Sequence, residues 1–368
     1  MMQKILHVAE VSKGGVISVM DLLVKSQADS GDFQQVIRLC PEDAPRVEHS
    51  GVHHLHFRRT GRNLASHIRL IYAFTYAVWK EQPAIVHLHS TFAGLWCRLA
   101  AALIRPFRPT VIVYTPHAFS FLSHTRFAGI YTLAERLLSS LCDAVICVSR
   151  YEFDAAVKGG LAVEKLRMIY NGVQDQGEPS KAQDELTRVL FVGRFDRQKG
   201  FDILIDALQS LENKPRLRIH AVGAADREDS NITIPQTIKL LGWLDPRALA
   251  EEYIWADVVV VPSRWEGFAM VPLEAMSFSC AVIASNIPPL AEAVADGSGI
   301  LFAPGDASAL QAIFVSHSAE EFRQMGRSGA FRQRELFSFE AMTSATLKAY
   351  AEVSAKPKSK SSGTTPQA

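Results

Sequence analysis

Two carboxylates with seven residues between them, Glu266 and Glu274, fall in the stretch SRWEGFAMVPLEAM, just after the four valines of Val258–Val261. The pattern predicts a strand, a loop carrying Glu266, and a helix opening at Pro272, which suits a first turn. Glu274 would then gain from the helix dipole, and both acids would project toward the strand's C-terminal edge. An acid placed only to satisfy that dipole explains Glu274 but not Glu266 beside Gly267. A second cluster, Gly193-Arg194-Phe195-Asp196-Arg197-Gln198-Lys199-Gly200, follows the strand pattern of Arg188–Val192. Arg194, a planar fork, and Lys199, a compact point charge, could clamp a diphosphate between them. A solvated basic turn is the plainer reading. A third cluster, Ser12-Lys13-Gly14-Gly15, joins the first strand to the first helix. Gly14 and Gly15 allow close backbone approach, and the free N–H groups of a helix start favour anions. A tight turn needs glycine anyway, and the loop lacks the G-x-G-x-x-G of a dinucleotide site. Carboxylates beside a phosphate clamp suit the hydroxyls of a sugar and a ribose.

The elements that must position these residues alternate strand and helix throughout. Short apolar strands at Lys4–Val8, Ile85–Leu88 and Ala144–Val148 are separated by helical stretches such as Leu64–Lys80. A second series begins at Arg188 and includes helices at Phe201–Leu211 and Pro246–Trp255 and helical patterns from about Ser308 to Met325. This is the signature of parallel sheets covered by helices on both faces. At 368 residues the chain is long enough for two such domains. We read residues 1–172 as a Rossmann-like domain, 173–186 as a linker, 187–337 as a second Rossmann-like domain, 338–354 as a final helix, and 355–368 as a disordered tail. Two doubly wound domains in series offer their ligand-binding edges to a shared cleft.

Bulk properties narrow the class. The five cysteines, odd in number and without a C-x-x-C, argue against a disulfide framework or thiolate zinc site and for a reducing compartment. No secretory signal or spanning apolar run is apparent, so a soluble cytoplasmic protein is expected, at most resting on a membrane surface. Net charge is +1, but residues 1–173 carry +6 and residues 174–368 carry −5. A basic first half suggests an anionic partner, with Arg58, Arg59, Arg62, Arg69, Arg105 and Arg108 as candidates against anionic lipid. A chance imbalance explains the charge equally well. No nucleic acid partner is expected. His87 and His89 form no metal-ligand constellation recognisable from spacing.

The stretch around the two glutamates resembles the signature of glycosyltransferase family 4. VGRFDRQKG, LGWL at Leu241–Leu244, VICVSR at Val145–Arg150, IYNGV at Ile169–Val173 and TPHAFSF at Thr115–Phe121 reinforce it, in family order, over about residues 5 to 350. The resemblance implies the GT-B fold, with two Rossmann-like domains facing across a cleft, the first on the acceptor side, and a crossover helix at Phe339–Val353 that returns to the first domain. It implies a retaining, metal-independent, cofactor-free transfer from a nucleoside-diphosphate sugar, more often a UDP-sugar, as in bacterial surface-polysaccharide assembly. The acceptor would be a saccharide or a polyprenyl-diphosphate-linked sugar. By position, Gly15, next to Gly14, would contact donor phosphates through its backbone. Arg194 and Lys199 would bind the diphosphate. Glu266 would hold donor-sugar hydroxyls, with Gly267, Phe268 and Ala269 beside it, and Glu274 the ribose. His117 would stand at the reacting centre, and the Trp243–Leu244 loop would lie against the base. Two positions depart from the pattern: Ala269 replaces a frequent glycine, and Gln174 an aspartate. A nucleotide-sugar 2-epimerase and a non-catalytic sugar-nucleotide-binding scaffold share the fold; the full set of polar site residues argues against both.

Overall fold

The computed structural model describes residues 3–61, 63–122, 126–209, 211, 216–224, 234–294 and 297–355. Arg62 and the tail from Lys356 lie outside them. The first half contains β1 (Gln3–Ala9), α1 (Gly15–Ser30), β2 (Phe33–Pro41), β3 (Val52–Phe57), α2 (Leu64–Glu81), β4 (Ile85–His89), α3 (Thr91–Ile104), β5 (Val111–Thr115), α4 (Ala128–Ser139), β6 (Ala144–Cys147), α5 (Arg150–Lys158) and β7 (Leu166–Met168). Its seven strands order as β3-β2-β1-β4-β5-β6-β7, all parallel. The second half contains β8 (Thr187–Val192), α6 (Phe201–Gln209), β9 (Leu217–Val222), β10 (Ile238–Gly242), α7 (Pro246–Trp255), β11 (Val258–Val261), α8 (Met270–Ser277), β12 (Ala281–Ser285), α9 (Pro288–Ala293), β13 (Gly299–Phe302), α10 (Ala307–Ser316), α11 (Ala319–Leu336) and α12 (Phe339–Ala355). Its six parallel strands order as β10-β9-β8-β11-β12-β13.

Local chemistry accounts for the element boundaries. The central strands are covered on both faces, so they read as near-continuous apolar runs; all four valines of β11 are buried. Asn63 caps α2 by accepting from Ser66 N, and Asp245 with Pro246 starts α7. The helical patterns expected from about Ser308 to Met325 are two helices, parted where Ser318 and Glu321 form a reciprocal capping box that restarts the chain. The helix expected from Pro272 begins at Met270, since extended Ala269 is its N-cap. Glu274 therefore stands in the second turn.

Each sheet reverses its strand order once, between β1 and β4 and between β8 and β11. Those are the switch points at which open α/β sheets bind ligands. The loops after β1, β8 and β11 carry Gly14–Gly15, Arg194–Lys199 and Glu266. The chain crosses between domains twice, at Gly172–Val173 and at Phe337–Ser338, where Val173 and Ser338 form a parallel bridge. Helix α12 then packs on α1 and β5 of the first domain. Tyr170, Phe268 and Phe337 form a ring cluster at this junction.

Candidate active site

The second-domain wall is built from two interlocked loops. Gly200, at φ 67°, packs so tightly on the end of β11 that a Cβ there would lie 2.0 Å from the Pro262 carbonyl oxygen. Arg264 N donates to the Gln198 carbonyl (2.9 Å) and Gln198 Nε2 to that of Trp265 (3.3 Å). Held this way, Lys199 Nζ meets Glu266 Oε1 at 2.6 Å, and Ser263 Oγ donates to the same oxygen at 2.7 Å. The Glu266 side chain is only 7% exposed. Asp196 braces the loop, accepting from Lys199 N and pairing with Arg194, which is 44% exposed and also donates to Gln198. Glu274 is held separately: Tyr253 of α7 donates to it at 2.8 Å, and burial pushes its carboxyl above the usual range. Trp243 is exposed in the loop after β10, with Leu244 half-buried beside it.

The first-domain wall touches this one. Gly14 (φ 91°) is the N-cap of α1, which has no side-chain cap, so its opening N–H groups face outward beside the exposed Gly15. A Cβ on Gly15 would lie 3.3 Å from Met270 Cγ, at the start of α8. A Cβ on Gly267 would lie 2.8 Å from Ala118 Cβ and 3.0 Å from the His117 carbonyl oxygen. Asn171 Nδ2 donates to the carbonyl of Phe268, whose ring is buried. Thus Gly15, His117 and the Glu266–Ala269 loop converge.

His117 and Ala118 both have positive φ (53° and 95°), an uncommon conformation outside glycine. Glu152 holds them there. Its buried carboxylate accepts from Ala118 N and Val148 N, both at 2.8 Å. Burial raises this carboxyl to about 7 although the N–H donors favour its charged form. Glu152, Tyr253 and Ser263 went unnoticed in the sequence, where nothing local marks them.

The sequence also gave no sign that His7, His87 and His89 would meet. Adjacent parallel strands β1 and β4 bring them together at the strand C-terminal ends, all buried, with one nitrogen of each within 4.8 Å of the others. Spacing along the chain does not show this grouping. Every ring nitrogen, however, has a protein partner. His7 Nε2 meets Gln27 Oε1 (2.8 Å), His7 Nδ1 meets His89 Nε2 (3.1 Å), and His89 Nδ1 meets His117 Nε2 (3.1 Å). His87 lies between Tyr350 OH (2.6 Å) and Thr115 Oγ1 (2.7 Å). Burial depresses all four rings, His7 to about 4 and His117 to about 3, so they are neutral near pH 7. Of the arginines named for an anionic partner, Arg105 pairs with Asp143 and Arg108 stacks over Trp79.

A cavity of about 510 Å³ lies at the far end of the second sheet beside Thr187 and Leu217, the first residues of β8 and β9. It is remote from the switch points. Two parallel sheets with their switch points face to face, a lysine–glutamate pair on one wall and a helix N-terminus on the other, define a GT-B glycosyltransferase. Comparison with known proteins agrees. Residues 13–176 match the model for Glycosyltransferase Family 4 and residues 174–328 that for Glycosyl transferases group 1. The chain belongs to glycosyltransferase family 4. It is 31% identical over 329 residues to a 41.2 kDa protein of the cps region of Klebsiella pneumoniae, covering 85% of this chain and 90% of that one. It is 36% identical over 176 residues to the D-inositol 3-phosphate glycosyltransferase of Segniliparus rotundus, covering 44% and 39%. Among solved structures, the sucrose-phosphate synthase of Thermosynechococcus elongatus superposes with a TM-score of 0.79 at 23% identity (95% and 99% covered). HepE of Anabaena, in complex with UDP and glucose, gives 0.77 at 19% (95% and 100% covered). These two likenesses concern the fold.

Proposed function

We propose that this glycosyltransferase moves a hexose or N-acetylhexosamine from a UDP-sugar to a hydroxyl of a lipid-linked or saccharide acceptor, with retention and without a metal, in assembly of a bacterial surface polysaccharide. The observation that carries the reading is the Lys199–Glu266 pair at the β8/β11 switch point, opposed through Gly267 by the His117–Ala118 loop. Lys199 keeps two N–H bonds for phosphate oxygens after binding Glu266, and Arg194 adds a second cation at the loop's rim. As the anomeric carbon–oxygen bond breaks, charge grows on the departing β-phosphate. Lys199, Arg194 and the N–H groups at Gly15 stabilise that charge more than the ground state. The acceptor hydroxyl attacks the face from which the diphosphate leaves, and its proton passes to the leaving phosphate oxygen. Glu266 orients the sugar hydroxyls and Glu274 the ribose. A neutral His117 meets the donor sugar, and Trp243–Leu244 frames the base. Support for a UDP-sugar comes from the UDP-bound structural neighbour, and for a surface glycan from the cps-region relative.

The acceptor side is supported by the first domain's surface. No helix among the described residues is long and apolar enough to cross a membrane. Yet α2 exposes Leu64, Ile68, Tyr72 and Tyr76, and Leu103, Phe107, Ile130 and Leu133 continue this apolar surface on and around α3 and α4. A groove of about 480 Å³ lined by Phe57, Ile68, Tyr72 and Tyr76 also contains Arg58 and Arg69. Apolar walls with arginines suit an anionic amphiphile lying on the inner face of the cytoplasmic membrane.

The deciding experiment incubates the protein with UDP-sugars and acceptor, with and without a chelator. UDP release with a new glycoside of the donor's anomeric configuration, unchanged by chelator, is expected. An isomerised donor would mean an epimerase, binding without turnover a scaffold, and chelator-sensitive turnover a metal site. Salt-sensitive binding to anionic vesicles is expected; its absence would favour a soluble acceptor.

A further inference from the structure

The hydrogen bonds among the buried histidines have a single consistent direction. An amide oxygen can only accept, so His7 Nε2, 2.8 Å from Gln27 Oε1, carries a proton. The amide nitrogen of Gln27 is buried and completes no hydrogen bond among the described residues. A neutral His7 then holds a lone pair on Nδ1, which must receive the proton of His89 Nε2. His89 Nδ1 in turn receives the proton of His117 Nε2. The rings are nearly parallel, with His7–His89 and His89–His117 centroids both 5.4 Å apart. His87 stands outside this chain, between the hydroxyls of Tyr350 and Thr115, either of which can donate or accept. The chain begins on α1, runs through β1 and β4, and ends at the strained loop against Gly267.

We propose that Gln27, His7 and His89 are positioning residues that fix His117 as its Nε2–H tautomer and set its ring plane, leaving Nδ1 as the acceptor for a donor-sugar hydroxyl. The hydroxyl step rests on the proposed placement of the donor at His117; the tautomer assignment does not. A ring held at one nitrogen keeps its other lone pair in a single direction, whereas an unsupported imidazole would exchange tautomers and lose that direction. Charge need not move along the chain. Its effect is orientation.

The test is long-range nitrogen–proton NMR on full-length protein containing ¹⁵N-histidine, near pH 7 and without nucleotide. His7, His89 and His117 should each be neutral with the proton on Nε2. An Nδ1–H tautomer at any of the three overturns the proposal, as does stoichiometric metal in the purified protein with signals shifted by metal ligation. Gln27→Met and His89→Phe should mix the His117 tautomers. They should also lower kcat/KM for the UDP-sugar about tenfold, while affinity for UDP alone stays within twofold, because UDP does not reach His117. Lost UDP affinity in step with lost turnover would indicate a merely structural role and overturn the proposal. Wild-type tautomers as expected, with no transfer from any UDP-sugar, would uphold the chain and sink the functional reading instead.

Discussion

Lys199 and Arg194 are both cations of one loop, but their surroundings make their substitutions distinguishable. Arg194→Ala removes a half-exposed group and should lower turnover at least tenfold with the melting temperature unchanged. Lys199→Ala should cost at least as much turnover and also stability, about 1–3 kcal/mol, since among the described residues buried Glu266 then keeps only Ser263 as a side-chain partner. Steady-state kinetics with saturating donor and thermal melts check both; wild-type turnover in the two variants would remove the phosphate-clamp assignment. The buried histidines add a pH signature. Their folded pKa values lie below the unfolded value near 6.5, so the unfolded state binds more protons between about pH 6.5 and 4, and stability must fall as pH drops through that window. His7 alone, lowered to about 4, contributes about 3 kcal/mol to that loss. Glu152, raised to about 7, acts in the opposite direction but is outnumbered. Melting temperatures that rise from pH 6.5 to 4.5 would contradict the buried neutral cluster.

Between elements, the most informative contact joins the domains at a helix end. Glu292 of α9 accepts from the backbone N–H groups of Arg150 and Tyr151, the first residues of α5, and from Tyr170 OH. A carboxylate of the second domain therefore caps a helix of the first, favourably placed at the positive end of its dipole. Glu292→Ala should cost about 1 kcal/mol, the value of a helix cap, and should enlarge the radius of gyration in solution scattering by easing separation of the walls. An unchanged scattering profile and melting point would show that the contact holds nothing. The cleft walls also leave no room at Gly267. Gly267→Ala would press on Ala118 and the His117 carbonyl, and should reduce turnover more than it reduces thermal stability.

At the scale of the molecule, the two crossings and α12 hold the lobes in one arrangement. A Cβ on Gly172 would lie 2.2 Å from the carbonyl oxygen of Ser338 on the returning strand, so Gly172→Ala should destabilise by about 3 kcal/mol. Calorimetry checks this, and a neutral result would mean that the crossing is loose. Tyr350, near the end of α12, hydrogen-bonds His87 beneath the cleft. The chain's last helix thus supports the histidines of its first sheet.

What the sequence determined by itself was periodic or local. Alternating apolar runs disclosed two parallel-sheet domains, and β11 coincides with the run Val258–Val261, because burial on both faces leaves a composition that no other element needs. Glycine, cation and carboxylate spacing disclosed the loops at the strand ends. The short helices α5 and α9 and the three-residue β7 escaped, their patterns being too brief to show a period. The tertiary structure alone decided which distant residues meet. His7 and His89 are neighbours because β4 pairs beside β1, not because of anything near them in sequence. Lys199 meets Glu266 because β8 and β11 are adjacent, and Glu292 reaches α5 because the domains close face to face. Sheet order and domain closure are fixed by the burial of whole faces, a sum over the chain that no local stretch contains.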